Sequence, residues 1–327
     1  MEKGREEKRG SFIALRRHQN VIGKHARGKR PERVGKPEHR EYRVAASRAG
    51  IIPAPPAFRK DAFMADNSDR LAFAIDLAQR AGSSALASFR KLETLTIEKK
   101  GHQDLVSEAD RDTETFIRAE IAKAYPDDAI VGEEHAPTPG TSGWTWVIDP
   151  IDGTANFVSG IPQWCVIIAA VHDGQIEVGV IEEPCSGETF SAGRGKGAFV
   201  NGRPMKVSDA TSLGEGSVGA GYAAREDEKA AIAVLADLLS QGGMFFRNAS
   251  GGLMLAYAAA GRLIGYIEES MNPWDCLAGM LMIQEAGGKV LMPAPEALTR
   301  DRFPLVAGGP GVYDAIETLA RTHLPTV

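Results

Sequence analysis

The chain has 327 residues, of which 43% are hydrophobic and 25% are charged, and these values are ordinary for a globular protein. No apolar run approaches the ~20 residues that a membrane-spanning helix needs, so we expect no membrane contact. The three cysteines are widely spaced among apolar residues, which favours reduced thiols in a cytoplasmic protein and argues against a disulfide framework or a metal cluster.

The net charge of −5 combines two parts of opposite sign. Residues 1–60 contain 17 Lys+Arg and 6 Glu, a net of +11, whereas the remainder carries 21 basic and 37 acidic residues, a net of −16. The basic segment has no sustained apolar period, so it cannot bury enough surface to offset the entropy of ordering. We therefore expect residues 1–63 to be a disordered tail.

Three explanations compete for this tail. A nucleic-acid-binding arm is possible because basic tails bind nucleic acid without sequence preference, although only three aromatic residues in the first sixty could stack on bases. A transit peptide should be poor in acids, but three glutamates lie within the first seven residues. The third explanation is upstream sequence that the working protein lacks, and we favour it because Met64 directly precedes the first predicted element.

Two helices and a short strand are predicted before residue 135. Apolar residues recur at helical spacing from Ser68, a possible N-cap, to Phe89. The run Ser107-x-x-Asp110 has the form of a capping box, which places Asp110 in the first turn of a second helix. Residues 129–134 predict a short buried strand that ends in two glutamates.

Residues 144–157 hold the most specific pattern of the chain. Their aromatic and β-branched start predicts a buried strand whose ladder Pro150 should end. Asp149 and Asp152 stand three residues apart before a glycine and a helix start. Carboxylates bind hard cations and helix-start N–H groups bind anions, so the pattern indicates a metal-assisted phosphate site. A solvated turn is a weaker interpretation, and the spacing does not suit a phosphatase with an aspartyl nucleophile.

The remaining segments predict a meander followed by alternating helices and strands. Residues 164–207 contain short strands separated by hairpin turns, and the glycine-rich run 193–197 is interpreted as a tight connection within that sheet. Helical patterns and extended segments then alternate. The helices are predicted at 227–239, 253–260 and 277–286, and the extended segments at 244–246 and 262–267.

Two stretches carry a resemblance to a known family. Residues 146–157, Trp-Val-Ile-Asp-Pro-Ile-Asp-Gly-Thr-Ala-Asn-Phe, resemble the metal-binding signature of the inositol monophosphatase family. Residues 274–288, which begin Trp-Asp-Cys-Leu-Ala-Gly, resemble its second signature. The family run Asp-Leu-Val-Thr-x-x-Asp is matched at 104–110 with Ser107 in place of threonine. The resemblance covers the chain from about Asp69 to its C-terminus.

The fold implied by the resemblance is a layered α/β sandwich of two lobes. Residues 64–207 would form an antiparallel sheet with paired helices, and residues 208–327 would form a mixed α/β lobe. The site would lie between them. Because its ligands would all be oxygens, the expected cofactor is Mg²⁺, with two or three ions per site.

The resemblance also assigns roles to individual residues. The metal ligands would be Glu133, Asp149, the Ile151 carbonyl, Asp152 and Asp275. Catalysis would use Thr154, whose hydroxyl is oriented by Asp110 and helps to deprotonate water. The substrate contacts would come from Ile151, Asp152, Gly153, Thr154, Ser250, Gly251, Gly252, Glu268 and Asp275.

The implied reaction is hydrolysis of a small phosphate monoester by water, without a covalent phosphoenzyme. The first candidate substrate is myo-inositol 1-phosphate. Relatives with the same signatures hydrolyse histidinol phosphate, fructose 1,6-bisphosphate or nucleotide 3′-phosphates, and some bacterial relatives act as binding proteins in antitermination complexes. The resemblance further implies a homodimer inhibited by lithium. Nucleic acid is not expected among the partners.

Overall fold

The structure of the protein is a computed structural model that describes residues 67–94, 97–101, 104–222, 228–325 and 327. The predicted tail and the start at Met64 lie outside the described residues. None of the described helices is long and apolar enough to cross a lipid bilayer.

The first half of the described chain contains three helices and nine strands. The helices are α1 (Asn67–Phe89), α2 (Glu108–Ala124) and α3 (Thr154–Val158). The strands are β1 (Ile97–Gly101), β2 (Asp104–Ser107), β3 (Ala129–Gly132), β4 (Trp144–Asp152), β5 (Cys165–His172), β6 (Gln175–Glu183), β7 (Glu188–Gly193), β8 (Gly197–Val200) and β9 (Arg203–Pro204).

The second half contains four helices and five strands within the described residues. The helices are α4 (Glu228–Ser240), α5 (Gly251–Ala259), α6 (Pro273–Glu285) and α7 (Tyr313–His323). The strands are β10 (Ser217–Ala220), β11 (Met244–Phe246), β12 (Gly265–Met271), β13 (Lys289–Val290) and β14 (Phe303–Gly308). Strands β10, β13 and β14 and helix α7 were not predicted from the sequence, nor was the small β1–β2 sheet.

Strands β3 to β9 form a seven-stranded sheet in chain order. Its pairs are antiparallel except β3–β4, which is parallel. The expectation of a purely antiparallel first sheet is therefore wrong at this edge, because residues 133–143 return the chain to the same end before β4 begins. The second sheet is mixed, with the order β11-β10-β12-β14-β13. The predicted lobe boundary at residue 207 stays a prediction.

The layers follow from the alternation of side chains along the strands. On β5, Val166 and Ile168 face the core formed with α1 and α2. Cys165 and Ile167 point the other way, into the core formed with α5 and α6. Helices α5 and α6 also pack on the second sheet, whose opposite face is covered by α4 and α7. The fold is thus an α/β layered sandwich.

Two boundaries differ from the sequence-based expectation. Helix α1 begins at Asn67, so Ser68 lies inside the helix and is not its N-cap. Strand β4 continues past Pro150, which was expected to end it, to Asp152. Asp149 pairs with Ile167 and Asp152 with Cys165, so the register shifts between the two acids. Such a bulge accommodates a proline that cannot donate to the ladder.

A buried ion pair joins α1 to the loop before β3. Arg70 and Asp128 are each 5% exposed and form a salt bridge. The Arg70 guanidinium lies 4.1 Å from the ring centroids of both Tyr125 and Trp144. The indole Nε1 of Trp146 donates to Asp128 Oδ2 at 2.8 Å. We refer to these five residues as the Arg70 box.

Candidate active site

Three acids converge where the end of β4 meets the first turn of α6. Asp149, Asp152 and Asp275 each offer one carboxylate oxygen, and these oxygens lie within 4.8 Å of one another. The β4 bulge brings the first two acids to this point although they are three residues apart. Asp149 is 1% exposed and Asp152 is 8% exposed. We refer to these three residues as the acid cluster.

Burial and mutual repulsion make the acid cluster hard to ionise. Burial, followed by the charges of Glu133, Asp275 and Asp152, raises the pKa of Asp149 well above its ordinary range. Burial and the charge of Asp275 raise the pKa of Asp152 to about 7. Burial also raises the pKa of Asp275, against hydrogen bonds from Asp149 and Asn272 and against the charge of Arg302. The cluster therefore favours either bound protons or a bound cation.

The donor set fits a hard divalent cation. Within the part of the chain that the structure describes, no salt bridge joins any of the three acids to a lysine, arginine or histidine side chain. The converging ligands are carboxylate oxygens without nitrogen or sulfur, which is the set that Mg²⁺ prefers. A bound cation would supply the positive charge that lets these acids ionise together.

Glu133 lies close to the acid cluster but outside its converging oxygens. It follows the end of β3, and its charge contributes to the raised pKa of Asp149. The loop after Gly132 is fixed by Glu114 of α2, which is fully buried. The Glu114 carboxylate accepts hydrogen bonds from the backbone N–H groups of Glu134, at 2.7 Å, and His135, at 3.3 Å. Glu114 thus positions the segment that carries Glu133.

A hydroxyl and a carboxylate lie together beside the cluster. Thr154 Oγ1 is 3.1 Å from Asp110 Oδ1 and 3.0 Å from the Ile151 carbonyl oxygen, and it can donate to either. The capping box predicted for α2 is present: Asp110 Oδ2 accepts from the backbone N–H of Ser107 at 2.9 Å and from its hydroxyl at 2.5 Å. Burial is the main reason that the pKa of Asp110 is raised.

The turn between β4 and α3 requires glycine. Gly153 has a φ of 93°, in the left-handed region that other residues rarely adopt. A Cβ at this position would also lie 3.1 Å from the carbonyl oxygen of Gln163 and 3.2 Å from Ser250 Cβ. The N–H of Ile151 donates to Asp149 Oδ1 at 3.0 Å, which fixes the first acid within the same turn.

The start of α5 reaches the acid cluster from the other side. Ser250 caps this helix and is fully buried. Its hydroxyl donates to Asp152 Oδ2 at 2.6 Å, and the N–H of Gly252 donates to the same oxygen at 2.7 Å. Gly251 is confined by Met271, whose Cε would lie 2.5 Å from an added Cβ. The Ser250 hydroxyl and the Gly252 N–H therefore bind a predicted metal ligand.

Glu268 lies on β12 beside a largely apolar pocket. The pocket is also lined by Tyr222, Leu235 and Arg247. The Tyr266 hydroxyl donates a hydrogen bond to Glu268 Oε2. The pKa of Tyr266 is raised well above its ordinary range by burial first, and then by the charge of Glu268. Tyr266 lies in the core that the second sheet forms with α5 and α6, and Glu268, two residues further along β12, is on the same face of the strand.

Comparison with known proteins identifies the family. Residues 66–322 match the model of the Inositol monophosphatase family. The chain belongs to this family. Family membership supports phosphatase activity and a metal requirement. Family membership does not identify the substrate, because some similar proteins are named inositol-1-monophosphatase and others are named Nus factor SuhB.

Named relatives illustrate both kinds. The chain is 36% identical to "Nus factor SuhB" of Pseudomonas aeruginosa, over 78% of this chain and 97% of that protein. It is 37% identical to "Inositol-1-monophosphatase" of Rhizobium meliloti, over 64% of this chain and 80% of that protein. The extragenic suppressor protein suhB from Bartonella henselae superimposes with a TM-score of 0.72 at 32% identity, over 76% of this chain and 97% of that chain.

Most inositol monophosphatase signature residues converge in the structure. Asp149, Asp152 and Asp275 meet, Thr154 contacts Asp110, and Glu133 lies near enough to act on Asp149. Sequence reasoning missed Glu114. The sequence feature that could have identified Glu114 is its position three residues before Ile117, which puts a charged residue on the apolar face of a predicted amphipathic helix.

Proposed function

We propose that the protein is a Mg²⁺-dependent phosphatase that hydrolyses a small phosphate monoester, with myo-inositol 1-phosphate as the first candidate substrate. The observation that supports this most strongly is the acid cluster: two buried acids and one half-buried acid that no salt bridge among the described residues joins to a cation, next to a hydroxyl–carboxylate pair. The family supports the phosphatase class, and the choice of inositol phosphate rests on relatives named for that activity.

The residues that would hold Mg²⁺ are those brought to the cluster. Asp149, Asp152 and Asp275 would be the principal ligands, with Glu133 and the Ile151 carbonyl as further oxygens. When bound, the metal would lower the pKa of a water molecule and neutralise charge on the leaving oxygen. Two or three ions per site, lithium inhibition and a homodimer remain part of this proposal.

Proton transfer would use Thr154 and Asp110. The Thr154 hydroxyl can accept a proton from the attacking water while its own proton passes to Asp110 Oδ1, 3.1 Å away. Because burial raises the pKa of Asp110, that carboxylate is a better proton acceptor than an exposed aspartate. The N–H groups of Gly153 and Thr154, at the start of α3, would hold the phosphate oxygens.

The alcohol part of the substrate would extend toward Glu268. For a polyol phosphate, this carboxylate would accept hydrogen bonds from ring hydroxyls. For histidinol phosphate, it would pair with an ammonium group. Glu268→Gln should therefore reduce kcat/KM mainly through KM for inositol 1-phosphate. The loss should be larger for histidinol phosphate and should shrink as salt rises.

The deciding experiment is phosphate release from a panel of monoesters, with Mg²⁺ and with a chelator. The panel contains inositol 1-phosphate, histidinol phosphate, fructose 1,6-bisphosphate and a nucleotide 3′-phosphate. We expect Mg²⁺-dependent release, fastest from inositol 1-phosphate. No Mg²⁺-dependent release from any member would reject the phosphatase proposal, and a faster second substrate would replace the first candidate.

A second function is favoured by the names of several relatives. Proteins from Pseudomonas aeruginosa and Xylella fastidiosa, 36% and 39% identical to this chain, are named "Nus factor SuhB". These names count against the expectation that nucleic acid is not among the partners. We propose as the alternative that the protein acts as a binding component of an antitermination complex. A phosphatase-dead variant that retains the cellular phenotype of the wild type would support this role.

A further inference from the structure

The two oxygens of Asp152 have different surroundings. Oδ2 accepts hydrogen bonds from the Ser250 hydroxyl at 2.6 Å and the Gly252 N–H at 2.7 Å, with the Cys165 thiol a weaker donor at 3.6 Å. Across the described ranges of the chain, no hydrogen bond reaches Oδ1. The donors are thus all directed at one oxygen, and the other is left for a different ligand.

The Ser250 hydroxyl has little freedom to do anything else. It is fully buried, and its oxygen also accepts the N–H of Leu253 at 3.4 Å as the cap of α5. A serine hydroxyl has one proton. The Cys165 sulfur lies 3.7 Å from the Ser250 oxygen and is a weaker acceptor than the Asp152 carboxylate at 2.6 Å, so that proton is directed to Asp152. The residue before it, Ala249, has a φ of 62°, which orients the following residue into the site at a conformational cost.

The second donor, the N–H of Gly252, approaches Asp152 closely because glycine has no side chain. A Cβ at Gly252 would lie 2.9 Å from Asp152 Oδ2 and 2.4 Å from Ile167 Cδ1. A side chain at this position would have to displace Ile167 or the carboxylate oxygen. Two residues at the start of α5, 98 and 100 positions after Asp152, therefore donate to a single oxygen of that residue.

The number of available oxygens matters for metal choice. Ca²⁺ takes six to eight oxygen ligands and often binds a carboxylate through both of its oxygens, whereas Mg²⁺ requires near-octahedral geometry with single oxygens. An aspartate whose Oδ2 is saturated by donors can offer only Oδ1. We infer that Ser250 and the Gly252 N–H restrict Asp152 to one-oxygen coordination and thereby make the site discriminate against Ca²⁺.

This inference, which rests on the proposed metal site, gives Ser250 and Gly252 a role other than the substrate contact implied by family resemblance. They are positioning residues that act through Asp152. Removing the hydroxyl would let Oδ2 turn toward the cation. Mg²⁺ binding should weaken because the ligand is less well held, and Ca²⁺ binding should weaken less or improve.

The test measures metal binding without turnover. Isothermal titration of the chelator-treated protein gives the Kd for Mg²⁺ and for Ca²⁺ in the wild type, Ser250→Ala, Ser250→Gly and Ser250→Cys. Alanine removes both the donor and the helix cap, whereas glycine removes the donor but is well tolerated at an N-cap. Loss of such supporting partners typically changes metal affinity 10- to 100-fold. We therefore expect Kd(Ca²⁺)/Kd(Mg²⁺) to fall about tenfold in the alanine and glycine variants.

Two further variants serve as an intermediate case and as a control for the change in Kd(Ca²⁺)/Kd(Mg²⁺). Ser250→Cys keeps a weak donor and should give an intermediate ratio. Ser191→Ala removes another buried serine, on β7 away from the cluster, and should leave the ratio unchanged. A ratio within about twofold of the wild type in a folded glycine or alanine variant would overturn the inference. Wild-type protein that binds neither ion would overturn the proposed metal site itself, which is a distinguishable result.

Discussion

The Arg70 box and the acid cluster are two buried, acid-containing regions with opposite charge balance. In the Arg70 box, Asp128 meets a guanidinium, an indole N–H and the Ser142 hydroxyl, which donates at 2.6 Å. The acid cluster places three carboxyl groups together, and no salt bridge among the described residues joins them to a cation, although the charge of Arg302 acts on Asp275. One region satisfies its acid from within the chain, so its role is structural. In the other, burial and mutual repulsion raise the pKa values of the acids, and the proposed cation would supply the missing positive charge.

This difference has a thermodynamic consequence. A buried acid that is paired and hydrogen-bonded holds elements together, and losing its partner leaves an uncompensated charge. A cluster of unpaired acids is instead a cost to the metal-free fold, since its members must hold protons or repel one another. A substitution in the Arg70 box should therefore lower stability and leave activity unchanged. A substitution in the acid cluster should lower activity without lowering the stability of the metal-free protein.

The largest expected effect comes from Asp275→Asn. Loss of one metal ligand should reduce kcat by on the order of a thousandfold. The melting temperature of the metal-free protein should be unchanged or higher, because one of three mutually repelling carboxyl groups is gone. Phosphate release at saturating Mg²⁺ and thermal unfolding with a chelator measure the two quantities. Unchanged turnover would remove Asp275 from the site.

Asp128→Asn should have the reverse profile. Removing the partner of a buried guanidinium costs about 3–5 kcal/mol of unfolding free energy, which urea denaturation would measure. The folded fraction should keep its kcat. Asp76→Asn is the matched control, because Asp76 pairs with Arg80 on the exposed side of α1 and such pairs contribute at most about 1 kcal/mol. Equal losses in both variants would argue against the structural role of the Arg70 box.

Glu114→Gln tests an acid that belongs to neither region. Its carboxylate accepts from two backbone N–H groups and from Arg118 Nε at 2.6 Å, and an amide would turn a donor toward one of them. We expect a loss of about 1–3 kcal/mol of stability and a severalfold higher Mg²⁺ concentration for half-maximal activity, since Glu133 is less well held. Glu120→Gln, on the exposed side of α2, should leave the Mg²⁺ requirement unchanged.

The last prediction concerns the pH dependence of the metal-free protein. The pKa of Asp152 is about 7 in the fold against an ordinary 3.8, so between these values the native state holds a proton that the unfolded chain releases. Stability contributed by this group should fall as pH rises from about 4 to about 7. Melting temperatures at several pH values, with Asp152→Asn for comparison, measure this slope. A wild-type slope no steeper than that of the variant would contradict the assignment.

The sequence by itself determined the elements whose patterns are local. Helical periodicity gave α1 and α2, hairpin turns gave the meander from β5 to β9, and the Asp-Pro-Ile-Asp run placed Asp149 and Asp152 together at the end of a strand. Each of these features depends on residues a few positions apart, whose spacing sets which side chains share a face or a turn.

Only the tertiary structure decided which donors each acid meets. The parallel pairing of β3, the continuation of β4 through Pro150 and the pairing of Arg70 with Asp128 all depend on segments brought together by packing. Ser250 and Asp152 are 98 residues apart, yet their hydrogen bond determines which carboxylate oxygen is left for a cation. A motif specifies residue types, but the orientation of a carboxylate follows from the three-dimensional positions of its donors.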